Sequence, residues 1–145
     1  MRVVLDTNVL VVGLLNPQGS CGRLLDLVLD GVARVCVDRR ILQEYEEVLR
    51  RPQFAFSPAA VAEVLEYMRS SGDPVPALPL AANLPDPDDL PFLEVAAAAE
   101  AVLVTGNLRH YPKKAAGRVA VVTPAECLEL LRRSNPLQPN HPTLP

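Results

Sequence analysis

The chain has 145 residues and a formal net charge of −3, which fits a single domain and argues against a protein that binds nucleic acid through bulk positive charge. Apolar residues make up 49% of the sequence, so a sizeable hydrophobic core is expected, filled mainly by Val, Leu and Ala because tryptophan is absent. The three cysteines form no CxxC pair, which indicates neither a zinc site nor a disulfide framework, and the sequence shows no signal peptide and no apolar run of membrane-spanning length, so we expect a cytoplasmic protein without membrane contact.

Two short β-branched runs in the first half of the chain each precede a stretch with helical periodicity. The runs Arg2 to Leu5 and Ala33 to Val37 are predicted strands of a buried parallel sheet. Asp38 is placed to cap the N-terminus of the helix that follows it. Four helices are predicted in this half. The second contains Leu24 to Val28 and ends at Gly31, and the others cover Asn8 to Leu15, Arg39 to about Arg50, and Ser57-Pro58 to about Met68.

The second half continues this alternation after a proline-rich stretch from Asp73 to Pro87, in which a brief strand is expected around Ala77 to Leu80. Thr123-Pro124-Ala125-Glu126 has the spacing of a capping box and predicts a final helix that ends near Arg133. The other elements predicted in this half are a helix that opens at Pro87 to Asp89 and continues to about Ala99, and strands at Ala101 to Thr105 and Val119 to Val122.

Strands that alternate with helices predict one α/β domain over residues 1–133, a three-layer α/β/α sandwich with a central parallel sheet. Residues 134–145 contain four prolines and are expected to form a disordered tail. In such sheets ligands bind beyond the carboxyl ends of the strands, so the residues that follow strands are the first candidates for function.

Acidic and polar side chains gather at these strand ends. Asp6 follows the first strand, and Thr105-Gly106-Asn107 ends the strand that begins at Ala101. Asp86, Asp88 and Asp89 lie at the start of the helix that leads into that strand. One carboxylate suffices to complement a helix N-terminus, whereas three repel one another unless a cation is present. A lone Asp6 would equally fit a helix cap, so it is the combination that indicates function.

The helix predicted from Arg39 supplies a further acidic candidate. Its apolar stripe has Glu44 on one border and Glu46 on the other, while Glu47 faces away. Periodicity therefore permits Glu44 to point inward but does not choose it over Glu46. From this helix alone, three ordinary solvated glutamates are the favoured interpretation.

Carboxylates that come from distant parts of the chain and meet at strand ends are typical of a site for a hard divalent cation. Mg²⁺ and Mn²⁺ bind oxygen ligands, and such an ion can activate a water molecule and neutralise the charge that develops on a phosphodiester. A zinc site would require a cluster of His or Cys, and the only histidines are His110 and His141.

Five motifs, in order, resemble those of PIN domains. The first is Val-Val-Leu-Asp6-Thr7-Asn8-Val-Leu, and the last is Val122-Thr-Pro-Ala-Glu126. Between them lie Ile41-Leu-Gln-Glu44-Tyr-Glu-Glu-Val-Leu-Arg-Arg-Pro, Asp86-Pro-Asp-Asp89-Leu-Pro-Phe-Leu-Glu and Leu103-Val-Thr-Gly-Asn107-Leu-Arg-His110-Tyr-Pro. The resemblance extends to about Arg133 and is strongest to a branch similar to the VapC-type ribonucleases of toxin–antitoxin pairs.

The resemblance implies a Mg²⁺- or Mn²⁺-dependent endoribonuclease that cleaves single-stranded RNA, is inhibited by a protein antitoxin and forms a homodimer. Helices with broad apolar faces, such as Ser57 to Met68, also suggest the dimer, because one small sheet would leave them uncovered. By position the resemblance assigns catalysis to Asp6, Glu44 and Asp89, and leaves the register among Asp86, Asp88 and Asp89 open. It adds Asp86 and Asn107 to these three as metal ligands, and Thr7, Asn8, Asp88, Thr105 and His110 as supporting residues.

The residue after Thr-Gly is a departure from the pattern of many PIN domains, which have aspartate where this chain has Asn107. In other members a fourth acid falls three residues later, where this chain has His110. An amide oxygen can ligate Mg²⁺ but brings no charge, so weaker metal binding, or a second metal held only with substrate, is expected. The basic residues expected to hold RNA phosphates are Arg109, Lys113 and Lys114, with Arg39, Arg40 and Arg118 as further candidates.

Two other functions fit parts of the same pattern. A phosphatase-like hydrolase with an aspartyl nucleophile usually has a second aspartate two residues after the first, and Asn8 stands there instead. A catalytically weak PIN-like module that acts mainly by binding a protein partner is favoured by Asn107.

Overall fold

The computed structural model describes residues 1–134, so the predicted tail beyond Ser134 lies outside the described residues. The strands are β1 (Arg2–Leu5), β2 (Arg34–Val37), β3 (Asp73–Pro74), β4 (Val102–Val104) and β5 (Val121–Val122). The α-helices of this part of the chain are α1 (Thr7–Leu15), α2 (Ser20–Leu29), α3 (Arg39–Leu49), α4 (Pro58–Ser71), α5 (Leu90–Ala99), α6 (Lys113–Ala116) and α7 (Pro124–Ser134). Short 3₁₀ helices cover Pro52–Phe54, Pro87–Asp89 and Leu108–His110.

The five strands form one sheet in the order β3-β2-β1-β4-β5, and every neighbouring pair is parallel. The central strand β1 is the most enclosed, with Val3, Val4 and Leu5 fully buried. Helix α2 packs against α1 and α7, and α3 packs against α4 and α5. The predicted three-layer α/β/α sandwich is therefore confirmed. Its topology brings the carboxyl ends of β1 and β4 next to each other.

Three of the helix starts predicted from the sequence are present with their capping hydrogen bonds. The Asp38 carboxylate accepts the Ile41 N–H at 2.9 Å, and Ser57 Oγ accepts the Ala60 N–H at 3.3 Å. At the start of α7, Thr123 Oγ1 accepts the Glu126 N–H while the Glu126 carboxylate accepts the Thr123 N–H. Local chemistry of this kind is readable from one sequence because both partners lie within one turn.

The strand predicted around Ala77 to Leu80 is wrong. The strand of this region is β3, which pairs with β2 through Cys36 and Val37. Pro79 has no N–H to donate to a ladder, and the Leu80 N–H donates instead to the Glu94 carboxylate at 2.9 Å. A two-residue edge strand that contains Pro74 is acceptable because an edge leaves one side of the strand without a partner.

The apolar face of α4, cited above in favour of a dimer, is covered by this chain itself. Val61, Leu65 and Met68 are each no more than 1% exposed. The large apolar residues that are exposed lie elsewhere, among them Leu78 in the proline-rich stretch and Val12 and Leu15 on α1. The helix face therefore no longer supports the dimer, which stays a prediction. None of the helices in residues 1–134 has the length and hydropathy needed to cross a bilayer.

Candidate active site

Asp6 stands where β1 ends, beside the end of β4. Its N–H donates to the Val104 carbonyl at 2.9 Å, which continues the pairing of the two strands by one residue. Its carboxylate is buried, and Oδ2 accepts hydrogen bonds from the Thr105 hydroxyl at 2.9 Å and the Tyr111 hydroxyl at 3.1 Å. The adjacency of β1 and β4 thus fixes one carboxylate at the carboxyl edge of the sheet.

The segment 86–89, which contains the 3₁₀ helix Pro87–Asp89, brings one of its three acids to Asp6. Asp89 is buried, whereas Asp86 and Asp88 are exposed. Asp86 Oδ1 accepts the Asp88 N–H at 3.0 Å and so caps this short helix. A 3₁₀ helix has three residues per turn, so consecutive side chains point in different directions and only one of them can face the sheet.

Asp6, Asp89 and His110 form a group in which one ligand atom from each residue lies within 4.8 Å of the others. His110 ends the 3₁₀ helix Leu108–His110, and its Nδ1 lies 3.0 Å from Asp89 Oδ2. That oxygen is buried and accepts no hydrogen bond from any residue that the structure describes. Glu44, the third carboxylate proposed from the sequence, is not a member of this group.

Glu44 instead reaches the site through Thr7. The Thr7 hydroxyl, one residue after Asp6, donates to Glu44 Oε2. The next residue of α3, Tyr45, is fully buried and donates its hydroxyl to the Leu5 carbonyl at 2.6 Å, which ties this turn of the helix to the end of β1. Glu46 points elsewhere and pairs with Arg50 and Arg69. Of the two glutamates that periodicity left open, Glu44 is therefore the one beside Asp6.

The three carboxylates disfavour one another's charged forms. Burial raises the pKa of Asp6, although the hydrogen bonds from Thr105 and Tyr111 work in the opposite direction. Burial, and next the charge of Asp6, raise the pKa of Asp89 to about 6. Burial also raises the pKa of Glu44, and the charges of Asp6, Asp88 and Asp86 add to this effect. A cation among these groups would relieve both the desolvation and the repulsion.

Two asparagines support the loop after β4. Asn8 Oδ1 accepts the Gly106 N–H at 3.0 Å, and Asn8 Nδ2 lies 3.5 Å from Thr105 Oγ1, which joins the start of α1 to this loop. Asn107 is exposed, and its Oδ1 accepts the Arg109 N–H at 3.2 Å. Asn107 thus caps the 3₁₀ helix that carries His110, and its role as a metal ligand stays a prediction.

The basic residues proposed to hold RNA differ in their exposure and in whether they form ion pairs within the chain. Arg109, Lys113 and Lys114 are exposed and lie directly after Asn107 in the chain. Lys114 and Arg118 also line an open cavity of about 1080 Å³ beside α5. Arg40 is engaged, because its guanidinium pairs with Asp38 and with the buried carboxylate of Glu94.

Sequence reasoning missed two residues that organise the site. The Tyr111 hydroxyl donates to Asp6, and burial together with the charge of Asp6 raises the pKa of Tyr111, so it stays a donor. Glu94 binds Arg40 and the Leu80 N–H and so links α5, α3 and the proline-rich stretch. Both residues fall inside the quoted motifs, but nothing in a single sequence indicates which long-range partner a buried polar side chain will find.

Comparison with known proteins agrees with this architecture. Residues 2–109 match the profile of the PIN domain. A chain in the crystal structure of VapBC2 from Rickettsia felis bound to a DNA fragment from their promoter is similar in fold, with a TM-score of 0.53 at 17% sequence identity. That similarity covers 85% of this chain and 98% of the other. A search of curated proteins gave no significant match.

Proposed function

The chain belongs to the PIN-domain family, and on that premise we propose that it is a divalent-metal-dependent endoribonuclease that cleaves single-stranded RNA. We further propose that it is the cytoplasmic toxin component of a toxin–antitoxin pair. The observation that carries the proposal is the meeting of Asp6 and Asp89, with His110, beyond the carboxyl ends of β1 and β4. Glu44 lies next to this group through Thr7.

The donor set fits a divalent cation such as Mg²⁺ or Mn²⁺. A buried carboxylate oxygen without a hydrogen bond carries a free-energy cost, and Asp89 Oδ2 is such an atom within residues 1–134, with His110 Nδ1 beside it at 3.0 Å. A cation held by Asp6 and Asp89, with Glu44 and His110 beside them, would remove this cost. When bound, such an ion lowers the pKa of a coordinated water and offsets the charge that develops on a phosphodiester.

Hydroxyl groups of the chain hold the acids in place for this chemistry. Thr105 and Tyr111 donate to Asp6, and Thr7 donates to Glu44. Because burial raises the pKa of Glu44, its carboxylate is a better proton acceptor than an exposed glutamate. We therefore assign Glu44 to accept a proton from the attacking water. Arg109, Lys113 and Lys114 are assigned to the RNA phosphates, because they are exposed and follow the site in the chain.

The proposal is tested by cleavage of a labelled single-stranded RNA with wild-type protein and Asp6→Asn, each in Mn²⁺, in Mg²⁺ and in EDTA. We expect cleavage by the wild type in the presence of metal, and none in EDTA or with Asp6→Asn. Thermal unfolding should show that Mn²⁺ raises the Tm of the wild type, by mass action, more than that of the variant. A wild-type protein that binds a partner protein but cleaves no RNA with either ion would support the alternative, a PIN-like binding module.

Asn107 offers a prediction about how the site is supported. Asn107→Ala removes the cap of the helix Leu108–His110 and should loosen His110, so Mn²⁺ affinity should fall moderately. Asn107→Asp can keep the cap and adds a negative charge near the site, so Mn²⁺ affinity should be retained or should rise. Isothermal titration with Mn²⁺ measures both. Unchanged Mn²⁺ affinity in both variants would show that residue 107 does not act on the site.

The partner proposals are an antitoxin and a second copy of the chain. They are motivated by the family resemblance and by the similar fold of a chain in the crystal structure of VapBC2. We expect a homodimer by light scattering at high micromolar concentration, and a monomer there would contradict it. For the antitoxin, we expect the product of an adjacent small reading frame to co-purify with the protein and to inhibit cleavage, and co-purification without inhibition would count against that role.

A further inference from the structure

His110 is the nitrogen donor in a group whose other two members are carboxylates. Its Nδ1 lies 3.0 Å from Asp89 Oδ2, yet that oxygen accepts no hydrogen bond among the described residues. Two ligands at right angles, each about 2.1 Å from an octahedral ion, are also about 3.0 Å apart. The spacing of the two atoms therefore fits two ligands of one ion.

We propose that His110 Nδ1 is a direct ligand of the bound metal ion and that the site consequently prefers a first-row transition ion such as Mn²⁺ over Mg²⁺. The inference rests on the proposed function for the existence of a metal site and specifies which ion that site selects. It departs from an all-carboxylate site because an imidazole stands beside the two buried aspartates.

The preference follows from the chemistry of imidazole. Mg²⁺ favours carboxylates, phosphates and water. Mn²⁺ shares this preference for oxygen but, as a transition ion, accepts a nitrogen ligand more readily than Mg²⁺ does, and the affinity of a given site rises from Mn²⁺ towards Cu²⁺. An acid at position 110 would make all ligands oxygens and would add a negative charge, and both changes would favour Mg²⁺. Histidine at this position therefore shifts the balance towards Mn²⁺.

The chain holds the His110 backbone from both sides. Asn107 caps the short helix on one side, and on the other Tyr111 is buried and donates its hydroxyl to Asp6. The imidazole is 38% exposed, so it can adjust to an ion without disturbing the core. A ligand on a backbone fixed in this way loses little freedom when the metal binds.

The direct test is pulsed electron paramagnetic resonance of Mn²⁺ bound to the full-length protein without RNA. We expect ¹⁴N modulation from a coordinated imidazole in the wild type and its loss in His110→Ala. His141→Ala is the matched control, because it removes the other histidine of the chain, and it should leave the signal unchanged. Circular dichroism of each variant checks that the fold is kept.

Equilibrium binding measurements determine the preference of the site for Mn²⁺ over Mg²⁺. Mn²⁺ affinity is read from the free-ion signal, and Mg²⁺ affinity from competition with Mn²⁺. His110→Ala should lower the Mn²⁺ affinity by about tenfold or more, since loss of even an outer-shell partner lowers metal affinity by about 10- to 100-fold. The Mg²⁺ affinity should change less. His110→Asp should raise the Mg²⁺ affinity and so reduce the ratio of the Mn²⁺ affinity to the Mg²⁺ affinity.

Each outcome bears on one of the two claims. Bound Mn²⁺ without ¹⁴N modulation, equal loss of both ions in His110→Ala, or no Mn²⁺ binding at millimolar concentration would overturn the inference. If metal-dependent RNA cleavage persists in the first two cases, the proposed function stands. If the modulation is present and lost in His110→Ala but no RNA is cleaved, the ligand assignment holds and the proposed function fails.

Discussion

Glu44→Gln is expected to abolish metal-dependent RNA cleavage, whereas Glu46→Gln is expected to leave it near the wild-type rate. The two residues make a matched pair, since both are half-buried glutamates of α3 and each change removes one negative charge. Glu44 accepts the Thr7 hydroxyl beside Asp6, while Glu46 pairs with Arg50 and Arg69. Glutamine can still accept from Thr7 but cannot take up a proton or supply a charge to a metal.

The expected loss in Glu44→Gln exceeds the roughly 10- to 100-fold that removal of an outer-shell partner costs. Initial cleavage rates at saturating Mn²⁺ measure it, with urea unfolding of both variants to compare their stabilities. Equal rates for the two variants, or a larger loss in Glu46→Gln, would remove Glu44 from the catalytic set. A loss in Glu44→Gln that higher Mn²⁺ concentrations restore would instead assign it to metal binding alone.

Much of the fold could be predicted because its signals are local. The cap at Asp38 and the capping box at Thr123 each join partners within one turn, and β1 is apolar from its second residue to its end. The short strand β3 could not be predicted, because two residues carry no periodicity and one of them is Pro74. It pairs with β2, a strand that is distant in the sequence, so its formation depends on tertiary structure.

The candidate site divides in the same way. The strand-end rule places Asp6 and Thr105 at one edge, because it needs only the strands and their direction. The choice of Glu44 over Glu46 needs the anchor between Tyr45 and the Leu5 carbonyl, which joins residues 40 apart in the chain. The choice of Asp89 needs the 3₁₀ turn at Pro87–Asp89, which composition does not distinguish from a first α-helical turn.

Asp89→Asn is expected to stabilise the metal-free protein above about pH 6, although it should weaken metal binding. Burial and the charge of Asp6 raise the pKa of Asp89 from 3.8 to about 6, so the folded state holds its proton more tightly than the unfolded state does. The stability that this proton supplies is fully present below pH 3.8 and is lost as the pH rises through about 6. Asparagine has no proton to lose, so the variant avoids a cost on the order of 2 kcal/mol.

Urea unfolding in EDTA at pH 5 and pH 7.5 measures this difference. We expect the free energy of unfolding of the wild type to fall relative to that of Asp89→Asn between the two pH values, and saturating Mn²⁺ to restore the wild type far more than the variant. Asp88→Asn removes the same charge from an exposed neighbour and should follow the wild type. If the free energy of unfolding of Asp89→Asn also follows that of the wild type at both pH values, ionisation of Asp89 does not destabilise the folded protein. A metal would then have no buried repulsion to relieve at this position, and the cation binding proposed for Asp6 and Asp89 would lose its main energetic reason.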